Sequence, residues 1–230
     1  MKNNTIIVAV LLLLLFVVVF RRKSNFGKNV FKNNGFASVK ARYTKPVVVK
    51  DIITKQEADY IMNEAKKTFK KSMIVGGFDP SIRKSETTWL YKSDPIVYDI
   101  INRICDMNGY SVENTEAMQV VRYKPGGYYN QHHDSCCETD SKCNEFVQNG
   151  GQRVLTVLIY LNDNFTGGST KFPTLKLDIK PPKYGAVIFR PLEENSNRCH
   201  PYALHQGTPI KSGEKYICNI WIREGQFNGG

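Results

Sequence analysis

A chain of 230 residues, 41% hydrophobic and 23% charged, accommodates one large domain or two small ones. Its formal net charge of +11 is not spread evenly: residues 1–50 hold ten Lys/Arg and no Asp/Glu, while the remaining 180 hold 22 basic and 21 acidic residues. The near-neutral body shows no basic face, so no nucleic-acid partner is expected.

Residues 6–20, IIVAVLLLLLFVVVF, form an uncharged apolar run. Fifteen residues fall short of the roughly 17–25 that span a bilayer as a helix, but Thr5 and the stems of Arg21 and Arg22 extend it by snorkelling. A cleaved signal peptide would place small residues after the run, whereas Phe20-Arg21-Arg22-Lys23 follows. The expectation is a single-pass membrane anchor over 1–20 and a basic linker over 21–45 facing anionic headgroups. A folded domain then occupies 46–230. Charge asymmetry places that domain in the cytoplasm, and six cysteines do not decide the redox compartment.

Thr54-Lys55-Gln56-Glu57 is a capping box, and Ala58, Ile61, Met62, Ala65 and Phe69 follow at helical spacing, which predicts a helix over 55–70. Ser93-Asp94-Pro95 starts a second helix whose buried stripe is Ile96, Val97, Ile100, Ile101, Ile104 and Met107, with Gly109 as its stop. Short runs rich in Val, Ile, Leu, Thr and Tyr then predict strands at 117–123, 153–161, 175–180, 184–190 and 216–223. Helices first and many short strands after them indicate an α+β fold, with helices packed on a sandwich or barrel-like core. Between them, residues 135–149 read as a long strandless loop, more often a lid than filler.

Residues 128–143, YYNQHHDSCCETDSKC, concentrate metal-ligating side chains. A structural zinc site needs spaced cysteine pairs, but Cys136 and Cys137 are adjacent and no second pair exists. In an oxidising compartment, Cys136 or Cys137 would bridge to Cys143; in a reducing one, free thiols are expected. A non-haem iron(II) oxygenase needs two imidazoles and one carboxylate on one face of the metal. On a strand, His132 and Asp134 point the same way and His133 elsewhere. The third ligand must be His200 or His205, and His205, just before a Gly/Pro-marked strand start, is chosen. Lys215 lies ten residues further on, at the start of an apolar strand. A lysine entering a sheet interior is costly unless a carboxylate meets it, and a dicarboxylic co-substrate would supply one.

Four blocks in order carry a family resemblance. They are Val120-Val121-Arg122-Tyr123-Lys124-Pro125-Gly126 with Tyr129 and His132-His133-Asp134; Gly150-Gly151-Gln152-Arg153 through Leu161; Gly167-Gly168-Ser169-Thr170-Lys171-Phe172-Pro173; and Leu204-His205-Gln206-Gly207 through Lys215 to Trp221-Ile222. Together these resemble the iron(II)/2-oxoglutarate oxygenases, most closely the short single-domain prolyl 4-hydroxylases, over residues 46–224. The resemblance implies a double-stranded β-helix (jelly roll) with N-terminal flanking helices. It implies Fe(II) on His132, Asp134 and His205, and 2-oxoglutarate, O2 and ascorbate as cofactors. Lys215 would meet the distal 2-oxoglutarate carboxylate, with Tyr123 and Thr170 in support and Trp221 lining that pocket. Tyr129 and Arg153 would face a proline-rich or collagen-like peptide, and Arg83 and Ser85 lie in a stretch resembling the loop that closes over it. Family resemblance places such a domain in the ER lumen, against the charge argument. Lysyl relatives usually carry Arg where Lys215 stands, so proline is the expected target. The rivals are an oxygenase for another peptidyl residue or a small molecule, and a non-catalytic peptide-binding jelly roll.

Overall fold

A computed structural model describes residues 44–74, 77–138 and 140–229. Two amphipathic helices come first. Helix α1 (Lys55–Lys66) opens with the capping box: Thr54 Oγ1 accepts from the Glu57 N–H at 3.2 Å, and the Glu57 carboxylate accepts from the Thr54 N–H at 2.7 Å. It ends four residues before the sequence limit, because the chain turns there into a short edge strand, Lys70–Lys71. Helix α2 (Pro95–Asn108) is capped by Asp94, whose carboxylate accepts from Ile96 and Val97. Gly109 stops it at φ 75°, a left-handed conformation that suits glycine. One face of each helix is buried, through Ala58, Ile61 and Ala65 on α1 and Val97, Ile100, Ile101 and Ile104 on α2.

Fourteen strands are present among the described residues: β1 (Val47–Val49), β2 (Lys70–Lys71), β3 (Arg83–Lys84), β4 (Glu86–Leu90), β5 (Met118–Tyr123), β6 (Tyr128–His132), β7 (Arg153–Tyr160), β8 (Phe165–Gly167), β9 (Thr170–Phe172), β10 (Leu177–Ile179), β11 (Ala186–Phe189), β12 (His205–Gly207), β13 (Ile210–Gly213) and β14 (Lys215–Arg223). The larger sheet runs β1-β11-β7-β14-β5-β4-β2, and the smaller β10-β9-β12-β6-β3, with β13 and β8 as a separate pair. Every pairing is antiparallel. The result is a sheet-rich α+β fold of jelly-roll type.

Strand alternation divides the larger sheet into two chemical faces. Along β14, Tyr216, Cys218, Ile220 and Ile222 join α1, α2, Val120, Leu155, Val157 and Ile159 in the main apolar core. The alternate residues, Lys215, Ile217, Asn219, Trp221 and Arg223, line a cleft on the opposite face, although every residue of the strand is buried. Burying each aliphatic side chain on the helix side contributes roughly 1.5–3 kcal/mol. That core is what allows the same strand to carry a lysine and an arginine inward on its other face.

Three sequence expectations need correction. The stretch 135–149 is not wholly irregular, because Ser141–Val147 form helix α3, capped by Asp140. Strands β8, β9 and β12, of three residues each, are too short for apolar periodicity to reveal and are seen only through their pairing. The expected membrane anchor at 1–20 and the linker, up to residue 43, lie outside the described residues. Among the described residues no helix is long and apolar enough to cross a membrane. The longest, α2, has 14 residues against the ~20 required and is amphipathic. The single-pass membrane localisation is therefore withdrawn.

Candidate metal centre and co-substrate cleft

Strands β6 and β12 pair so that His132 lies directly opposite His205. β6 ends at His132, so Asp134 is not on the strand as alternation suggested; it sits in the bend just after it. The bend still delivers the carboxylate. Asp134 Oδ1 lies 3.7 Å from His132 Nε2 and 4.0 Å from His205 Nε2. One ligand atom from each of the three residues falls within 4.8 Å of the others, a spacing that could hold a metal ion.

The protonation states suit a divalent cation. His132 Nδ1 lies 2.7 Å from the Asn130 carbonyl and His205 Nδ1 2.9 Å from the Ala203 carbonyl. A carbonyl only accepts, so Nδ1 carries the proton in each ring and Nε2 offers its lone pair inward. Burial, reinforced by His205, pushes the His132 pKa well down and keeps the ring neutral. Burial alone would raise Asp134, but His205, His132, Arg153 and the Thr156 hydroxyl outweigh it and hold the carboxyl below its usual range. Thr156 Oγ1 donates to Asp134 Oδ2 at 2.7 Å, which leaves Oδ1 to face the imidazoles. Two imidazoles presenting Nε2 and one carboxylate are the donor set of a non-haem iron(II) site.

The same cleft, of about 390 Å³, contains Lys215. The residue is 2% exposed, and its Nζ donates to the Gly168 carbonyl at 2.6 Å and the Tyr160 hydroxyl at 3.1 Å. Among the described residues no carboxylate pairs with it, and burial, helped by Lys180, lowers its pKa to about 7. Tyr160 also lies 2.8 Å from Thr170 Oγ1, and Tyr123 faces Lys215 across the β5–β14 ladder. Glycine suits position 168: its φ is +68°, and a Cβ there would push on Ile210 Cδ1 at 2.3 Å. The two ends of this cleft fit the two implied groups, a divalent metal at one and a free carboxylate at the other.

The remaining sequence candidates are placed unequally. Tyr129 stacks on His132 at 3.6 Å between ring centroids, and the Arg83 guanidinium lies 4.7 Å over Tyr129, so both line the cleft. Ser85 does not line it; its hydroxyl accepts from Arg83 Nε and contacts Ser72, which positions Arg83. Arg153 is held by Glu116 at 2.6 and 2.7 Å and lies 3.5 Å over the Trp221 ring. Trp221 is six residues from Lys215 on the same face of β14, roughly 20 Å along the strand. It therefore does not touch the ammonium, and belongs to the opposite end of the cleft with Trp89, 6.2 Å away. Sequence reasoning missed Thr156 and Tyr160. Their parity on β7 matches Leu158 on the cleft side, but only the register against β14 shows which face that is.

Four of the six cysteines form two disulfides, and Cys105 and Cys218 are buried free thiols. Cys136–Cys143 is one of the pairings expected under oxidation, whereas Cys137–Cys199 was not foreseen, because 62 residues separate its partners.

Comparison with known proteins agrees with this geometry. A family model described as the 2OG-Fe(II) oxygenase superfamily matches residues 118–223, from the start of β5 to the end of β14. The chain is 44% identical over 200 residues to a putative prolyl 4-hydroxylase of Acanthamoeba polyphaga mimivirus, covering 87% of this chain and 83% of that one. It is 31% identical to a probable prolyl 4-hydroxylase of Arabidopsis thaliana, covering 79% and 69% respectively. The fold matches the viral collagen prolyl hydroxylase of Paramecium bursaria Chlorella virus-1, solved with 2OG, at a TM-score of 0.61 and 33% identity, over 78% of this chain and 96% of that one. The chain belongs to the prolyl 4-hydroxylase family of the 2OG-Fe(II) oxygenases.

Proposed function

We propose that this chain hydroxylates prolyl residues in an extended, proline-rich or collagen-like peptide, consuming 2-oxoglutarate and O2 and releasing succinate and CO2. His132, Asp134 and His205 would hold iron(II), which when bound supplies the oxidative chemistry that places one oxygen atom on the proline ring. The protein's own part is orientation and exclusion of water. Lys215 anchors the far carboxylate of 2-oxoglutarate, with the Tyr160, Thr170 and Tyr123 hydroxyls around it. Asn130 and Ala203 carbonyls fix the imidazole tautomers, and Thr156 orients the carboxylate. Trp221 and Arg153 at the other end, and Tyr129 and Arg83 beside His132 and Tyr123, present aromatic faces and guanidiniums suited to a polyproline-II-like segment. Names of relatives support the substrate class: each of those compared is called a prolyl hydroxylase.

The observation that carries this reading is the pairing, in one cleft, of a two-imidazole, one-carboxylate cluster with a buried lysine that has no acidic partner among the described residues. The test is mass spectrometry of peptides incubated with protein, iron(II), 2-oxoglutarate and ascorbate. A gain of one oxygen on proline is expected, matched by succinate and abolished by His205→Ala. Oxygen appearing on another residue, or succinate release that no prolyl peptide stimulates, would reject the substrate class.

A further inference from the structure

His132 and His133 are adjacent in sequence yet enter two different donor clusters. The His133 ring, Cys137 Sγ and Cys199 Sγ each offer one atom, and these lie within 4.8 Å of one another. His133 Nδ1 is buried and meets no hydrogen-bond partner among the described residues, a state that costs about 1–3 kcal/mol when nothing else satisfies the atom. The two sulfurs are joined as a disulfide, and both face the Ser135 carbonyl, at 3.4 and 3.8 Å.

We propose that the Cys137–Cys199 disulfide is the oxidised form of a Cys2His metal site, which on reduction takes a thiophilic divalent ion such as zinc(II). Two electrons from a thiol or phosphine reductant, with two protons, open the S–S bond to two thiols. Binding of the dication then displaces both thiol protons and uses the imidazole lone pair, leaving a fourth position for solvent. The sulfurs need only part from about 2.0 Å to about 3.8 Å, the edge of a tetrahedron with 2.3 Å zinc–sulfur bonds.

Their backbones are held by more than the disulfide. Ser135 donates to the Arg153 carbonyl at 2.6 Å. Gln152 binds both the N–H and the carbonyl of Cys136, at 3.0 and 2.8 Å. On the other side, Cys199 bridges to Leu192. Donor chemistry separates the two centres: two thiolates and an imidazole favour zinc, while two imidazoles and a carboxylate suit iron(II). The inference does not depend on the hydroxylase reading.

Cobalt(II) titrated into the full chain, anaerobically reduced with a water-soluble phosphine, tests this. Cobalt in the His132, Asp134, His205 cluster gives no sulfur-to-cobalt charge transfer, so a near-ultraviolet band of that kind reports thiolate ligation alone. The expected result is a band that saturates by two cobalts per chain, the second being the silent one in the His132, Asp134, His205 cluster, is absent before reduction, and is displaced by zinc(II). Cys137→Ser or Cys199→Ser should abolish it, and His133→Ala should weaken cobalt binding by about tenfold or more. His205→Ala and Cys136→Ser should leave it unchanged. Reduced unsubstituted protein that shows no band, or a band that survives Cys199→Ser, overturns the proposal. The first of these outcomes needs no variant to fold.

Discussion

Lys215 enters the larger sheet at the head of β14 and ends between the Gly168 carbonyl and the Tyr160 hydroxyl, 2% exposed. Its lowered pKa, about 7 against 10.5, has a signed consequence. Between those values the unfolded chain holds a proton that the folded, co-substrate-free protein lacks, so this residue's contribution to stability rises with pH across that window. A bound carboxylate restores the proton, so 2-oxoglutarate binding takes up a proton above pH ~7, and affinity should fall by up to about tenfold per pH unit there. Calorimetry across pH 6–9 checks this; a flat profile would remove Lys215 from the anchor role. Lys215→Met should weaken 2-oxoglutarate by roughly 10–100-fold, the value of a hydrogen bond to a charged group. The same substitution should stabilise the empty protein by on the order of 1–4 kcal/mol, as replacing buried charge by packed hydrocarbon commonly does. Lys215 was legible as a buried lysine because it opens an apolar strand. Tyr160 and Thr170, which surround it, carry no such signal, because tyrosine and threonine are ordinary strand residues.

At the scale of elements, β5, β7 and β14 each turn one face to the helices and one to the cleft. Arg153 from β7 and Arg223 from β14 line the far end of the cleft, and both are bound by Glu116, which precedes β5, at 2.6 and 2.8 Å. Burial would raise the Glu116 pKa, but the two guanidiniums outweigh it and lower it. Its contribution to stability is therefore present above the usual carboxyl range and is lost as pH falls through the lowered value. Glu116→Gln leaves two arginines without their counter-charge and should cost ~3–5 kcal/mol, read as a lower denaturant midpoint at unchanged slope. A shift under 1 kcal/mol would mean water already screens the cluster. Sequence periodicity gave helix starts to the residue, because Thr54 and Asp94 cap through contacts a few positions away. It overran the end of α1 by four residues, because the turn into β2 is dictated by pairing with β4, 16 residues further on.

For the whole molecule, the Cys137–Cys199 bridge ties the segment after the metal cluster to the chain just before β12, so both sides of the candidate site share one covalent link. Replacing both cysteines by alanine should lower stability by ~2–4 kcal/mol, because the link closes a long loop in the unfolded chain. Thermal unfolding measures this, and an unchanged midpoint would show that hydrogen bonding alone holds the segment. The sequence by itself determined the helix caps and the α+β class, and it singled out His132, Asp134, His205 and Lys215 as candidates, because each rests on local spacing or a motif read along the chain. Tertiary structure alone decided which face of β14 is the cleft, that Thr156 and Tyr160 flank its candidate residues, that Ser85 supports Arg83 from behind the lining, and that Cys199 finds Cys137. Those outcomes depend on strand register and on contacts between residues dozens of positions apart, whose energies no local pattern encodes.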